Sequence, residues 1–427
     1  MRHGQLISDR TQLTEEQVRD ETFGVIEANG MCCMQCGSRA REDFYTYRAI
    51  TSNSDVTYCR RCLHIGRMST MDPIWLTESV NVCSSGKYTL AFRLSEQQQY
   101  ASDKVLKAVR TYTSLLLHAV TGAGKTEMIF ASIAYARQRG DNVAVVSPRV
   151  DVVIEVSKRL CEAFADEEID VLHQASRQQY DGHFIVSTVH QLYRFKRHFD
   201  VIFVDEVDAF PLSMDETLMI ALTQACKERR SIVYMTATPP RQLIQQVGAD
   251  NIVTLPARFH RHPLVVPVFK YFKVRYQRIQ RALLHRMYAQ QTSERTTLLF
   301  FSDISAMRQF YQTYACHITK MCYVYSEDSE RLAKVEALRE GQYSIVLTTT
   351  ILERGFTMAA LDVWVMESHR YSADALIQIA GRVGRKAVCP TGEVLFFHEG
   401  RTHAMYCART EIRRMNRLAF QRGWIDV

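Results

Sequence analysis

Ten short apolar runs in two series constrain this chain more than any other feature of its sequence. The first series is "LLLHAV" (115–120), "VAVVSP" (143–148), "FIVSTV" (184–189), "VIFVDE" (201–206) and "SIVYMTAT" (231–238). Each run has the length of one strand and too little polarity for a strand with one wet face. Longer mixed segments, many of helix length, separate the runs. Strands buried on both faces and joined by helical crossovers make a parallel sheet. The second series is "TLLFFS" (297–302), "MCYVYS" (321–326), "SIVLTTT" (344–350), "VWVMES" (363–368) and "EVLFF" (393–397). The expected fold class is therefore α/β, with two tandem parallel-sheet lobes.

A length of 427 residues allows about three domains. The expected division is an N-terminal segment at 1–85, a first lobe at 86–256, a linker and helix at 257–286, and a second lobe at 287–427. Hydrophobic content of 47% and charged content of 23% are those of a soluble globular chain. A formal charge of +7 permits an anionic partner and requires none. No run of about 18 apolar residues could span a bilayer, and the N-terminus carries no apolar leader core, so the expected location is cytoplasmic. Twelve cysteines in that setting read as thiols or metal ligands rather than disulfides.

Four of those cysteines form a pattern. Cys33 and Cys36 make one Cys-x-x-Cys, and Cys59 and Cys62 another, 22 residues further on. Two such knuckles can converge four thiolates on a tetrahedral Zn²⁺. Four closed ligands leave no coordination position for water, so the site would be structural. Cys32 and His64 lie beside the knuckles as alternative ligands.

The stretch "AVTGAGKT" follows the run at 115–120 and precedes the helix-like "TEMIFASIAYARQRG". Strand, tight loop and helix N-terminus are what a phosphate-binding loop needs. Backbone amides of Gly122, Ala123, Gly124, Lys125 and Thr126 would cradle the β-phosphate of ATP. Lys125 would reach the β- and γ-phosphates, and the Thr126 hydroxyl would coordinate Mg²⁺. Asp205, at the end of "VIFVDE", would hold the same Mg²⁺, and Glu206 would polarise the attacking water as general base. In "GRVGR" (381–385), Arg382 and Arg385 could stabilise charge on the transferring phosphoryl group.

In order and type these elements resemble the superfamily 2 helicases, across most of residues 90–400. "AVTGAGKT" is similar to the family's first motif, which accepts Ala119 at the start of its loop and adds Val120 and Thr121 to the nucleotide site. "DEVD" (205–208), "TAT" (236–238), "TTTILERGFT" (348–357) and "QIAGRVGR" (378–385) are similar to later motifs. The resemblance implies RecA-like lobes, adenine reading by Gln98 of "LSEQQ", water positioning by Gln378, and coupling of hydrolysis to movement by Thr236 and Thr238. It also implies a strand-binding groove lined by 147–152, 187–191, 300–304 and 348–350.

With four cysteines ahead of the first lobe and "SPRVDV", "DEVDAFP", "TATPP" and "ILERGFT" within the lobes, the chain is most similar to the ComFA family. What that resemblance implies is an ATP-driven single-stranded DNA translocase, working at the inner face of the cytoplasmic membrane with other late competence proteins and a DNA-uptake channel. A homo-oligomer is a further implication. A PriA-like replication or repair helicase, an RNA helicase and a non-motor ATP-dependent binding scaffold remain the alternatives. The basic segments 257–286 and 401–427 read either as amphipathic packing helices or as nucleic-acid contacts.

Overall fold

The computed structural model describes residues 2–14, 17–63, 66–174, 176–353, 356 and 358–425. His64, together with Arg354, Gly355 and Thr357 of the 348–357 stretch, lies outside the described residues. The chain forms two compact units. Residues 1–118 and 126–253 make the first, and residues 119–125 and 254–427 the second.

The first unit is built on a parallel sheet. Its neighbouring strands run in the order Asp170–Leu172, Phe184–Thr188, Val143–Ser147, Phe199–Asp205, Cys226–Thr236 and Leu115–Ala119. Every pair in that order is parallel. Phe184–Thr188, Val143–Ser147 and Phe199–Asp205 are buried at every residue. This is the double burial that their unbroken apolar composition requires. All strands point the same way, so Ser147, Thr188, Asp205 and Thr236 end at one edge.

On the sheet rests a small N-terminal module. Leu6–Ile7, Pro73–Thr77 and Val18–Phe23 form an antiparallel three-stranded sheet. Two hairpins, Val25–Glu27 with Met31–Cys33 and Phe44–Ala49 with Ser54–Cys59, carry the cysteines. Among the described residues the module has no core of its own. Its cysteines, Val25 and Ile74 join one apolar cluster with Ile185, Ile202 and Ile232 from the parallel sheet.

The second unit holds an all-parallel six-stranded sheet. The order is Val268–Tyr271, Val394–His398, Leu361–Val365, Thr296–Phe300, Ile345–Thr348 and Met321–Val324. All five strands of the second apolar series are present. The sixth, Val268–Tyr271, comes from the stretch read in sequence as linker. It pairs with Val394–His398 at the sheet edge, where three of its four residues are exposed and a mixed composition is tolerated. The helix expected within 257–286 begins at Arg281 and runs to Thr292. The basic tail forms a 19-residue helix, His403–Gln421, whose Met405, Ala408 and Ile412 pack into the second core. Among the described residues no helix is long and apolar enough to cross a membrane.

Candidate active site and metal centre

The two cysteine knuckles share one local design. Cys33 and Cys59 each end a hairpin strand, and Cys36 and Cys62 follow in the next turn. Gly37 N–H donates to the Cys33 carbonyl at 2.9 Å, closing the first turn. All four sulfurs converge, and each residue is buried. Sγ of Cys33 lies 3.6 Å from that of Cys62, and Sγ of Cys36 3.7 Å from that of Cys59. A zinc–sulfur bond of about 2.3 Å gives a tetrahedron edge of about 3.8 Å, so the donor set fits Zn²⁺.

Hydrogen bonding to Cys33 holds the Cys36 and Cys59 thiols below their ordinary value. Cys33 and Cys62 are pushed up, Cys33 chiefly by Cys36 and Cys62 chiefly by Cys33. Beside the quartet lies Lys196, pushed down to about 8 by burial. Its ammonium donates to the Gln35 carbonyl at 2.8 Å. Cys32 stands outside the cluster, half-buried, with its thiol facing the Cys33 carbonyl.

The hydrolytic residues come from the carboxyl edge of the first sheet. Asp205 is the last residue of Phe199–Asp205 and is buried. Its Oδ1 accepts the backbone N–H of Glu206 at 3.0 Å. Glu206 has φ of 55°, a left-handed conformation that a non-glycine residue holds at a cost on the order of 1 kcal/mol. The chain thereby turns sharply at the acid that the sequence nominates as general base. Asp208 follows two residues later. Its carboxylate accepts the Thr236 and Thr238 hydroxyls, each at 2.5 Å. The sequence reading placed the threonines but gave Asp208 no role of its own. The signal was there: it is the last letter of "DEVD".

Residues 119–125 pack with the second unit. Gly122 and Gly124 take φ of 81° and 78°, which their lack of a Cβ allows. Lys125 and Thr126 open the helix Lys125–Met128, and a second helix, Phe130–Gln138, continues it after a break at Ile129. Thr121 donates to the Gly381 carbonyl at 3.1 Å. Arg258 is wholly buried and donates to the carbonyls of Thr121 at 3.1 Å, Gly381 at 3.0 Å, Val383 at 2.6 Å and Gly384 at 2.5 Å. Burial, then repulsion from Arg385, lowers its pKa to about 9. One guanidinium thus binds the phosphate loop to the "GRVGR" loop. Nothing in the sequence singled out Arg258 from the basic residues around it.

The other nominated residues are placed as follows. Arg382 is buried and donates to the Glu353 carbonyl at 2.8 Å, while Arg385 donates to that of Gly381 at 3.0 Å. Gln378 is buried in the helix Ala373–Ala380. Gln98 is buried at the start of Glu96–Thr111, where its Oε1 accepts the Ser95 N–H at 3.0 Å as half of a capping box. Its amide thus already has a structural task.

Along the same edge as Asp205 runs a groove of about 870 Å³. Thr188 lines it, the segments that follow two strands of the first sheet contribute Pro148, Val150, His190, Gln191 and Arg194, and the N-terminal module contributes Arg2, Ser8, Gly66 and Arg67. Arg194 is exposed at the groove and has no ion-pair partner among the described residues; partial desolvation, with Arg2 nearby, lowers its pKa.

Comparison with known proteins gives this geometry its class. Residues 91–241 match the family model "Type III restriction enzyme, res subunit" and residues 276–387 the "Helicase conserved C-terminal domain". Among solved structures, the chain aligns with S. cerevisiae Dbp5 bound to RNA and ADP BeF3 at a TM-score of 0.54 and 14% identity, over 75% of this chain and 91% of that one. It aligns with Mycobacterium smegmatis helicase Lhr bound to ssDNA and AMP-PNP at a TM-score of 0.55 and 17% identity, over 78% and 51%. Those likenesses establish RecA-like lobes, and the matched domains define an ATP-dependent helicase-type enzyme of superfamily 2, which implies ATP and Mg²⁺.

The particular family follows from closer relatives. Residues 6–76 match the "Competence protein ComFA N-terminal domain". The chain is 37% identical to competence protein ComFA of Bacillus subtilis, over 91% of this chain and 86% of that protein. It is 33% identical to competence protein ComFA of Streptococcus pneumoniae, over 97% and 98%. The chain belongs to the ComFA family.

Proposed function

We propose that this protein is an ATP-driven translocase on single-stranded DNA that draws incoming strand into a competent cell. The observation that carries the reading is one sheet edge. The strand ending at Asp205 lies between those ending at Ser147 and Thr236, and Ser147 and Thr188 lead straight into the basic groove. In this reading Asp205 and the strand-binding groove are neighbours on one sheet edge, as the rule for ligands at the carboxyl ends of α/β strands anticipates.

In this reading Lys125 neutralises the β- and γ-phosphates, and Thr126 and Asp205 are the residues that would hold Mg²⁺. Bound there, Mg²⁺ would offset phosphate charge. Glu206 takes the proton of the attacking water. Arg382 and Arg385 meet the developing charge once released from the carbonyls they now contact. Asp208, joined to Thr236 and Thr238, relays the state of the Asp205–Glu206 turn along the edge towards the groove. Arg194 and its neighbours engage phosphates, so binding is insensitive to base sequence and weakens with salt. Zinc in the four-cysteine centre holds the module against the sheet.

The domain limits 1–85, 86–256, 257–286 and 287–427 are proposed on the same basis, as are cooperation with other late competence proteins at the membrane and a homo-oligomeric state. A test is displacement of a streptavidin block from end-labelled oligonucleotides. The wild-type protein is expected to clear the block from one end of single-stranded DNA with ATP, and Glu206→Gln to bind the strand without clearing it. Equal clearance by both proteins would refute the assignment.

A further inference from the structure

The N-terminal arm meets the first sheet at a cluster that the ATPase reading does not use. One ring nitrogen each of His3 and His183 and a carboxylate oxygen of Asp181 lie within 4.8 Å of one another. All three residues are half-buried. The imidazoles stack with centroids 5.1 Å apart and planes 25° from parallel.

The surrounding hydrogen bonds fix which nitrogens are available. The Asn142 amide nitrogen donates to the carbonyls of Val80 at 3.1 Å and His198 at 3.2 Å, so its Oδ1 must be the acceptor facing His183. His183 Nδ1 lies 2.8 Å from that oxygen and therefore carries the proton. His3 Nδ1 lies 3.2 Å from the Glu78 carbonyl and is a donor by the same logic. With Nδ1 as donor, each neutral ring keeps its lone pair on Nε2, and the Asp181 carboxylate is the third donor of the group. Two imidazoles and a carboxylate within reach of one point are a donor set that can hold a metal ion. A ring N–H directed to a carbonyl is also the usual outer support of a metal-bound histidine.

We infer that His3, Asp181 and His183 form a second metal site, separate from the cysteines, for a divalent transition cation of the zinc class. Two imidazoles and a carboxylate suit Zn²⁺ and leave a fourth position for water. The site would clasp the arm to the loop before Phe184–Thr188. The backbone already threads there, with Gly4 N–H donating to the Glu78 carbonyl at 3.0 Å and Lys196 N–H to that of Gly4 at 2.8 Å.

The experiment is zinc content by mass spectrometry on the full-length, tag-free protein equilibrated with buffered Zn²⁺. His3→Gln, which leaves the core untouched, and His183→Gln are each expected to hold one equivalent less than wild type. Cys59→Ser/Cys62→Ser should lose only the cysteine-bound equivalent. Loaded with Co²⁺, that double variant should keep a d–d absorption band without thiolate charge transfer, and adding His3→Gln should remove the band. Equal zinc in wild type and His3→Gln overturns the site. Loss in His3→Gln with none in His183→Gln overturns the shared ligation. Neither result bears on the translocase reading, which concerns other residues.

Discussion

The cysteine module and the parallel sheet beneath it share one compact unit but are held together by different means. In the sheet, Val143–Ser147, Phe184–Thr188 and Phe199–Asp205 are buried at every position. Burying each large aliphatic side chain there contributes about 1.5–3 kcal/mol. In the module, Phe44–Ala49 has no fully buried residue, and Ser54–Cys59 has three. Strands that short and that wet do not hold a fold unaided. What the module has instead is four converging sulfurs and the sheet face it covers. In the proposed reading, zinc at those sulfurs organises one region as apolar burial organises the other.

The sharpest way to break this contrast is to remove the sulfurs. Cys59→Ser/Cys62→Ser should abolish zinc at the quartet and open residues 25–62 to hydrogen exchange, while the parallel strands stay protected. Structural zinc sites are worth about 10–16 kcal/mol of apparent binding energy, so the effect should be complete rather than graded. Intact protection of the hairpins would show that they fold without metal.

A smaller effect is expected at Asp208, which belongs to the sheet's working edge. Asp208→Ala removes two short, charge-assisted hydrogen bonds, each worth about 1.5–3 kcal/mol. DNA-stimulated ATPase should fall about tenfold or more, with the zinc content unchanged. A variant that keeps full stimulation would remove Asp208 from the coupling path.

The mildest probe is acid. His198 is wholly buried, stacks on Phe195, and burial pushes it down to about 3. Unfolded, it titrates near 6.5. Between those values the unfolded chain binds a proton that the folded chain refuses, so stability falls as pH drops from 6.5 towards 3 and is unaffected above 6.5. The full loss is on the order of 5 kcal/mol. His198→Asn should flatten that part of the pH profile of unfolding; an unchanged slope would assign acid sensitivity elsewhere.

Much of this was legible in the sequence because burial on both faces leaves unmistakable runs. All ten apolar runs became parallel strands. Val268–Tyr271 was read as linker because an edge strand need not be apolar. The paired Cys-x-x-Cys declared itself through spacing, since each knuckle is a local turn. Asp208 and Arg258 did not: their roles arise from contacts with residues 28 and more than 120 positions away. Gln98 carries two signals at once: the "SEQQ" that resembles an adenine-reading motif is also a helix capping box, and the structure contains that local bond.

The most direct test of the account is ATP turnover with and without single-stranded DNA, set against duplex and RNA, in wild type and Lys125→Ala. The account predicts strong stimulation of wild type by single-stranded DNA above either competitor, and no stimulated turnover in Lys125→Ala. Stimulation by RNA alone, or equal turnover in the two proteins, would contradict it.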